Sequence, residues 1–136
     1  MLTGSKASNQ LALPGAKGKV AYITRADFAA AIAGALTQSG HVDKIYEISG
    51  PEAVDLYDIA RSLSEARGTP VTVVDADPTE FRRVLASEGF PDWLADGYLD
   101  LFAAAAAGEH AIVSKEAERL GGCATEPMTT YVKRFA

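Results

Sequence analysis

Three times along the chain, a short run of β-branched, aliphatic or aromatic residues is followed by a capping side chain and then by an amphipathic helical stretch. That alternation restricts the fold more than any other feature. A period-2 or fully apolar run followed by a period-3.6 run cannot bury both faces within one element, so strands and helices must form layers. Residues 20–23 (VAYI) begin the first unit. Thr24 caps the helix that follows, with Asp27 in capping-box position, and Phe28, Ile32, Ala35 and Leu36 form its apolar stripe before Ser39 and Gly40 stop it. Residues 44–49 (KIYEIS) alternate as a strand, Gly50 and Pro51 break it, and Asp55 opens a helix striped by Leu56, Ile59, Ala60 and Leu63 and closed by Gly68. Residues 70–74 (PVTVV) form the third strand. Asp77, Pro78 and Glu80 then supply a cap, a proline at the first helical position and an acidic third position, with Phe81, Val84 and Leu85 facing inward.

The remainder reads as more helix. Gly89 ends the third helix, Phe90 and Pro91 turn the chain, and Trp93, Leu94, Tyr98, Leu101 and Phe102 mark a longer helix. Ile112 and Val113 are extended, Ser114 caps a brief helix broken by Gly121 and Gly122, and Met128, Tyr131, Val132 and Phe135 stripe a closing one. At the other end, residues 1–17 read as a flexible lead-in or linker remnant, leaving 18–136 as one α/β lobe.

With 136 residues, 48% of them hydrophobic, the chain can bury a real core without disulfides or a metal. Its net charge of −5, with basic residues scattered, argues against nucleic-acid binding. No stretch reaches the ~20 apolar residues of a membrane span. Cys123 is alone, and His41 and His110 are far apart, so no local metal site is expected; the reading is a metal-free chain from a reducing compartment, the cytoplasm by default.

Strand–helix alternation calls for a test of dinucleotide chemistry. A phosphate loop must follow a strand and open a helix. Gly15 and Gly18 precede their strand, and Gly121 and Gly122 follow a helix, so neither pair meets the condition. The chain also lacks a Walker sequence, a Tyr-x-x-x-Lys pair and a Gly-x-Ser-x-Gly elbow, and Cys123, with no histidine nearby, reads as an incidental thiol. Asp75, Asp77 and Glu80 could be paired carboxylates, but helix capping explains them more simply. Tyr22 reads as core. Arg25 sits where a strand ends and a helix begins, the ligand-facing position of open α/β folds; a solvated or Asp27-paired arginine is the alternative. For Phe90, Pro91 and Trp93, cleft lining and plain packing both stand.

Residues 20–37 (VAYITRADFAAAIAGALT) and 44–51 (KIYEISGP) resemble the second half of NmrA-like atypical short-chain dehydrogenases, nearest to the NAD(P)H:quinone oxidoreductases. The likeness continues through 59–64 (IARSLS), 88–91 (EGFP) and 118–122 (ERLGG), and so covers nearly everything after Gly15. Cys123 departs from it, standing where the family usually has arginine in a Gly-Arg-x-x-Thr motif, with Thr125 nearby. The resemblance implies the C-terminal lobe of an NAD(P)-binding Rossmann-type protein, lacking the Gly-rich nucleotide-binding half. NADP or NAD would serve the full-length family, and none is expected to bind this chain alone. A quinone-like molecule would lie against Arg25, Phe90, Pro91 and Trp93, with no catalytic, cofactor-binding or metal-ligating residue in this lobe. Completion would come from a nucleotide-binding half or a homodimer; a non-catalytic regulatory module of the same family is the alternative.

Overall fold

The structure, a computed structural model, describes residues 9–136. Strand β1 (Gln10–Leu13) pairs in parallel with β2 (Thr72–Asp75), Gln10 opposite Thr72 and Leu13 opposite Asp75. Between and after them run α1 (Arg25–Thr37), α2 (Leu56–Arg67), α3 (Pro78–Ser87), α4 (Asp92–Ala106), α5 (Glu116–Gly121) and α6 (Met128–Tyr131), which passes into a 3₁₀ turn over Val132–Phe135.

Residues 10–17 correct the lead-in reading. Leu11 and Ala16 are buried, and the Asp75 carboxylate accepts the Ala16 amide at 3.2 Å, so this stretch belongs to the lobe; residues 1–8 of that reading lie outside the described residues. The parallel ladder to β2 is what holds it, and a partner that distant leaves no local trace in the sequence.

The main core gathers Leu11, Val54, Ile59, Ala60, Leu63, Val71 and Val132, with Leu56, Val73 and Met128 packed around them. The local signals of α2 were sufficient: Asp55 and Asp58 form the reciprocal capping box, Ile59, Ala60 and Leu63 are buried, and Gly68 ends the helix at φ 65°. Asp77 likewise caps α3 by accepting the Thr79 and Glu80 amides. The closing helix is tied down from two sides. The Glu52 carboxylate accepts the Thr129 amide and hydroxyl at 2.8 and 2.7 Å, and Arg67 donates to the Phe135 carbonyl at 3.1 Å.

A smaller cluster forms where α1 packs on α5. Here the expected stripe of α1 is turned around: Ala31 and Gly34 are buried against Ala117 and Leu120, while Phe28 and Ile32 are each 44% exposed and Leu36 is 80% exposed. The reason is the closeness of the two backbones. A Cβ on Gly34 would stand 2.7 Å from the Leu120 carbonyl carbon and nearer still to its oxygen, so only the small-residue face of α1 fits. Val84 is another departure, 45% exposed where it was expected inside; α3 instead meets α4 through Leu85 and the Phe81 ring against Phe102.

Two expected strands are not laddered. Residues 20–23 hold single links: an antiparallel bridge of Val20 with Val54, the Ala21 amide on the His110 carbonyl at 2.8 Å, and the Gly50 amide on the Ala21 carbonyl at 3.1 Å. Residues 44–49 have no strand partner among the described residues. An alternating segment becomes a strand only where a neighbour offers a matched row of donors and acceptors, and none of the described residues does so. Gly50 lets the two segments touch, since a Cβ there would meet the backbone of Tyr22.

Candidate functional site

The extended segment 20–23 delivers the chain to the N-terminus of α1, and a cavity of about 700 Å³ opens there. Thr24 accepts the Asp27 amide at 3.1 Å, which fixes the first turn and sets Arg25 at its first helical position. The Asp27 carboxylate accepts the Thr24 hydroxyl at 2.8 Å and the Glu126 amide at 3.0 Å, joining α1 to the segment that leads into α6. Glu126 pairs with Arg134 at 2.6 Å, and the Arg134 guanidinium lies 5.3 Å from the Tyr131 ring centre.

Tyr22, Arg25, Met128 and Tyr131 therefore share a cavity with Asp27, whose carboxylate holds the Thr24 hydroxyl and the Glu126 amide, and with the Glu126–Arg134 ion pair. Arg25 is exposed, and among the described residues it has no hydrogen-bond or ion-pair partner. The Asp27 pairing considered from sequence does not form, because that carboxylate is taken up by Thr24 and Glu126. What remains is a free guanidinium beside two aromatic walls, suited to a flat molecule carrying a hydrogen-bond acceptor. Partial burial pushes the Tyr22 phenol above its ordinary value of 10.0, so it stays a protonated donor at any physiological pH.

The other expected site residues are placed elsewhere. The Phe90 ring meets Tyr98 edge-on at 6.1 Å, Pro91 precedes α4 at its cap position, and Trp93 is 74% exposed. None of the three lines the cavity that Arg25 lines. The physical reason is the α3–α4 hairpin, where Arg82 holds Asp96 at 2.7 Å and Asp92 at 3.1 Å and keeps the turn packed on its own helices. Sequence reasoning missed Tyr22, taken for core although it is 39% exposed, and missed the contribution of the closing helix. The spacing of Tyr131 and Arg134, three apart on one helical turn, was the available signal for the latter.

A second depression lies between the segment after α1 and α5, around His41, Tyr46 and Arg119. The His41 Nδ1 is 2.6 Å from the Tyr46 hydroxyl, and the Arg119 guanidinium lies 5.2 Å from the Tyr46 ring centre. Among the described residues, no three His, Cys, Asp or Glu side chains gather as a metal ion would require, and no helix is long and apolar enough to cross a membrane.

No family model matches the chain. Quinone oxidoreductase 2 of Escherichia coli is 38% identical over 116 residues, which are 85% of this chain and 40% of that protein. NAD(P)H azoreductase of Xenophilus azovorans is 36% identical over 93 residues, 68% of this chain and 32% of that one. Among solved structures, the Escherichia coli NADPH-dependent quinone oxidoreductase superposes with a TM-score of 0.89 at 32% identity, covering 98% of this chain and 48% of its own. The NADP(H) complex of Citrobacter triphenylmethane reductase gives 0.87 at 27% identity, covering 99% and 47%. The chain thus spans less than half the length of the relatives it matches.

The fold is that of an α/β lobe of the Rossmann-type, NAD(P)-binding reductase class. More particularly, the chain belongs with the NmrA-like atypical short-chain dehydrogenases, of which the matched stretch fits a C-terminal half.

Proposed function

We propose that this chain is the substrate-binding lobe of an NAD(P)H-dependent oxidoreductase acting on quinone-like acceptors, silent by itself and working in the cytoplasm. The observation that carries the reading is the unpartnered Arg25 at the mouth of the α1 cavity, in a chain 38% identical over its matched length to a quinone oxidoreductase. The described residues do not fit the nicotinamide cofactor. Of the turns that open a helix at this cavity, Ile23-Thr24-Arg25 has no glycine and its Asp27 amide is bound to the Thr24 side chain, and the turn at Glu126 and Met128 has no glycine either and leads into a helix of one turn. A pyrophosphate needs close backbone approach and unclaimed amides, so no step is assigned to the cofactor in this lobe.

What the lobe's own residues do follows from their chemistry. Arg25 offers a fixed fork of donors to an acceptor oxygen, and its charge stabilises that oxygen as it becomes electron-rich. Tyr131 and Met128 give flat apolar contact, while the Asp27–Glu126–Arg134 chain fixes the wall they stand on. The test is calorimetric titration of the chain with menadione, a small quinone, against Arg25→Ala. Loss of one charge-assisted hydrogen bond, worth about 1.5 kcal/mol or more, lowers affinity about tenfold. Equal binding by the two proteins, or oxidation of NADPH by the chain alone, overturns the reading.

A further inference from the structure

Two sequence features lie outside the Arg25 cavity: the turn at residues 14–18 (PGAKG) and the alanine run at 103–107 in which α4 ends. In the fold they meet. A Cβ on Gly18 would stand 2.7 Å from the Ala105 carbonyl carbon, and one on Gly15 would stand 3.1 Å from the Phe102 carbonyl oxygen, so the turn rests directly on the backbone of α4. Its own polar groups are engaged within the lobe. Asp75 accepts the Ala16 amide, the Gly15 carbonyl accepts the Gly18 amide, and the Ala16 carbonyl accepts the Leu56 amide.

Two apolar cavities open beside this contact. A crevice of about 30 Å³ is walled by Leu13, Val20, Tyr22, Leu56, Phe102 and Ala105, and a wider space of about 320 Å³ by Pro14, Pro78, Leu99, Phe102, Ala103 and Ala106. Tyr22 is a wall of both the Arg25 cavity and the crevice, while Pro14, Gly15 and Phe102 are walls of both the crevice and the wider space. The three spaces follow one another from Arg25 past Tyr22 to Phe102. The Phe102 ring is fixed there by Phe81, edge-on at 5.5 Å, and by Tyr98, stacked at 6.5 Å. Among the described residues, Asp100 is the one charged side chain on the walls of the crevice and the wider space.

We propose that the acceptor bound at Arg25 carries an aliphatic side chain, which passes Tyr22 through the crevice and lies in the space beside Phe102 and Ala103. The inference rests on the substrate-lobe reading and adds the substituent that the substrate bears. Width selects a chain: the crevice holds about two water-sized spheres, room for a file of methylenes and too little for a further ring. Polarity selects an aliphatic one. A hydroxyl or carboxylate placed beyond Tyr22 would give up its water and find no side-chain donor on these walls.

The experiment titrates the chain calorimetrically with menadione and with its 3-hexyl derivative, 2-hexyl-3-methyl-1,4-naphthoquinone. Each methylene withdrawn from water is worth about three- to fourfold in affinity, and immobilising the chain gives part of that back, so the hexyl compound is expected to bind about tenfold more tightly or better. Ala103→Phe and Ala106→Leu, both at exposed positions on the wider space, are expected to remove that gain and to leave menadione affinity unchanged. Melting of each variant is followed alongside, and either one that folds as the wild type does gives the reading. Equal affinities for the two quinones in the wild-type chain overturn the proposal, as does a hexyl gain that survives in both variants. Arg25→Ala tells the two readings apart: it is expected to weaken both quinones about tenfold, whereas a hexyl gain that Ala103→Phe abolishes and Arg25→Ala leaves untouched overturns the role given to Arg25 and leaves the aliphatic site standing.

Discussion

Replacing Gly34 with alanine tests the packing that positions the cavity, and Gly97 supplies its control within the same molecule. Both glycines are helical, in α1 and α4, so the intrinsic gain from Gly→Ala is the same for each, up to about 1 kcal/mol. Their surroundings differ. A Cβ on Gly97 meets nothing within 4 Å, whereas on Gly34 it would lie 2.7 Å from the Leu120 carbonyl carbon, well inside the 3.4 Å where ordinary contact begins. The obstacle is backbone, so α1 and α5 must separate by roughly 0.7 Å or more, loosening Ala31, Ala117 and Leu120. Overpacking of this kind costs about 1–3 kcal/mol, and after a helical gain of about 1 kcal/mol the net loss is about 0–2 kcal/mol. At about 2–4 °C per kcal/mol that lowers Tm by up to roughly 4–8 °C, while Gly97→Ala raises it by roughly 2–4 °C. Thermal melting followed by circular dichroism at pH 7 reads both, and a cooperative wild-type transition is the precondition. Equal stabilisation by the two substitutions would refute the close approach of α1 to α5, and with it the geometry assigned to Arg25.

Other consequences are as direct. Asp27→Ala deletes the bonds to the Thr24 hydroxyl and the Glu126 amide, and is expected to cost about 1–2 kcal/mol in urea unfolding; a smaller loss for Asp27→Asn, which keeps an acceptor, would separate hydrogen bonding from charge. Because the folded state raises the Tyr22 pKa, the unfolded chain loses that proton first, so the stability tied to it is complete below pH 10.0 and is lost as pH climbs through the folded value. Urea midpoints taken from pH 8 to 11 should fall less steeply in Tyr22→Phe than in the wild type, and parallel curves would contradict the burial of the phenol. Calorimetric titration of the chain with NADPH or NADH should show no binding, and a micromolar Kd would reveal a cofactor site that the Thr24 turn does not supply.

Residues whose structure is decided within a few positions were legible in the sequence. Thr24, Asp55, Gly68 and Asp77 each cap a helix through bonds to residues no more than four away, and each does so as its neighbours indicate. What failed was decided at a distance. Of the stripe read for α1, Ala35 packs on the α5 cluster, but Phe28, Ile32 and Leu36 do not, because the position of the Leu120 carbonyl selects the small-residue face at Ala31 and Gly34. Residues 44–49 do alternate, with Tyr46 and Ile48 inward and Ile45 outward, yet nothing in those six residues records whether a strand lies alongside. Arg25 was read at the start of a helix, and it stands first in α1. The carboxylate that bonds Glu126 comes from Asp27, 99 positions earlier, and no local pattern signals that meeting.

The parallel pairing of β1 with β2 also sets a timetable for synthesis. Gln10 must wait for Thr72, and at roughly 5–20 residues per second the ribosome delivers that partner about 3–12 s later. Helix α2 is made within that interval, but its Ile59 and Leu63 share their core with Leu11 of β1 and with Val132 near the C-terminus. The first described strand and the closing turn of the chain therefore meet in one cluster, and Leu63, which leaves the ribosome midway, reaches its burial only after residue 132 has been added. From the synthesis of Leu11 until that of Val132 the cluster stays incomplete, so this interval is when chaperone capture should be most frequent.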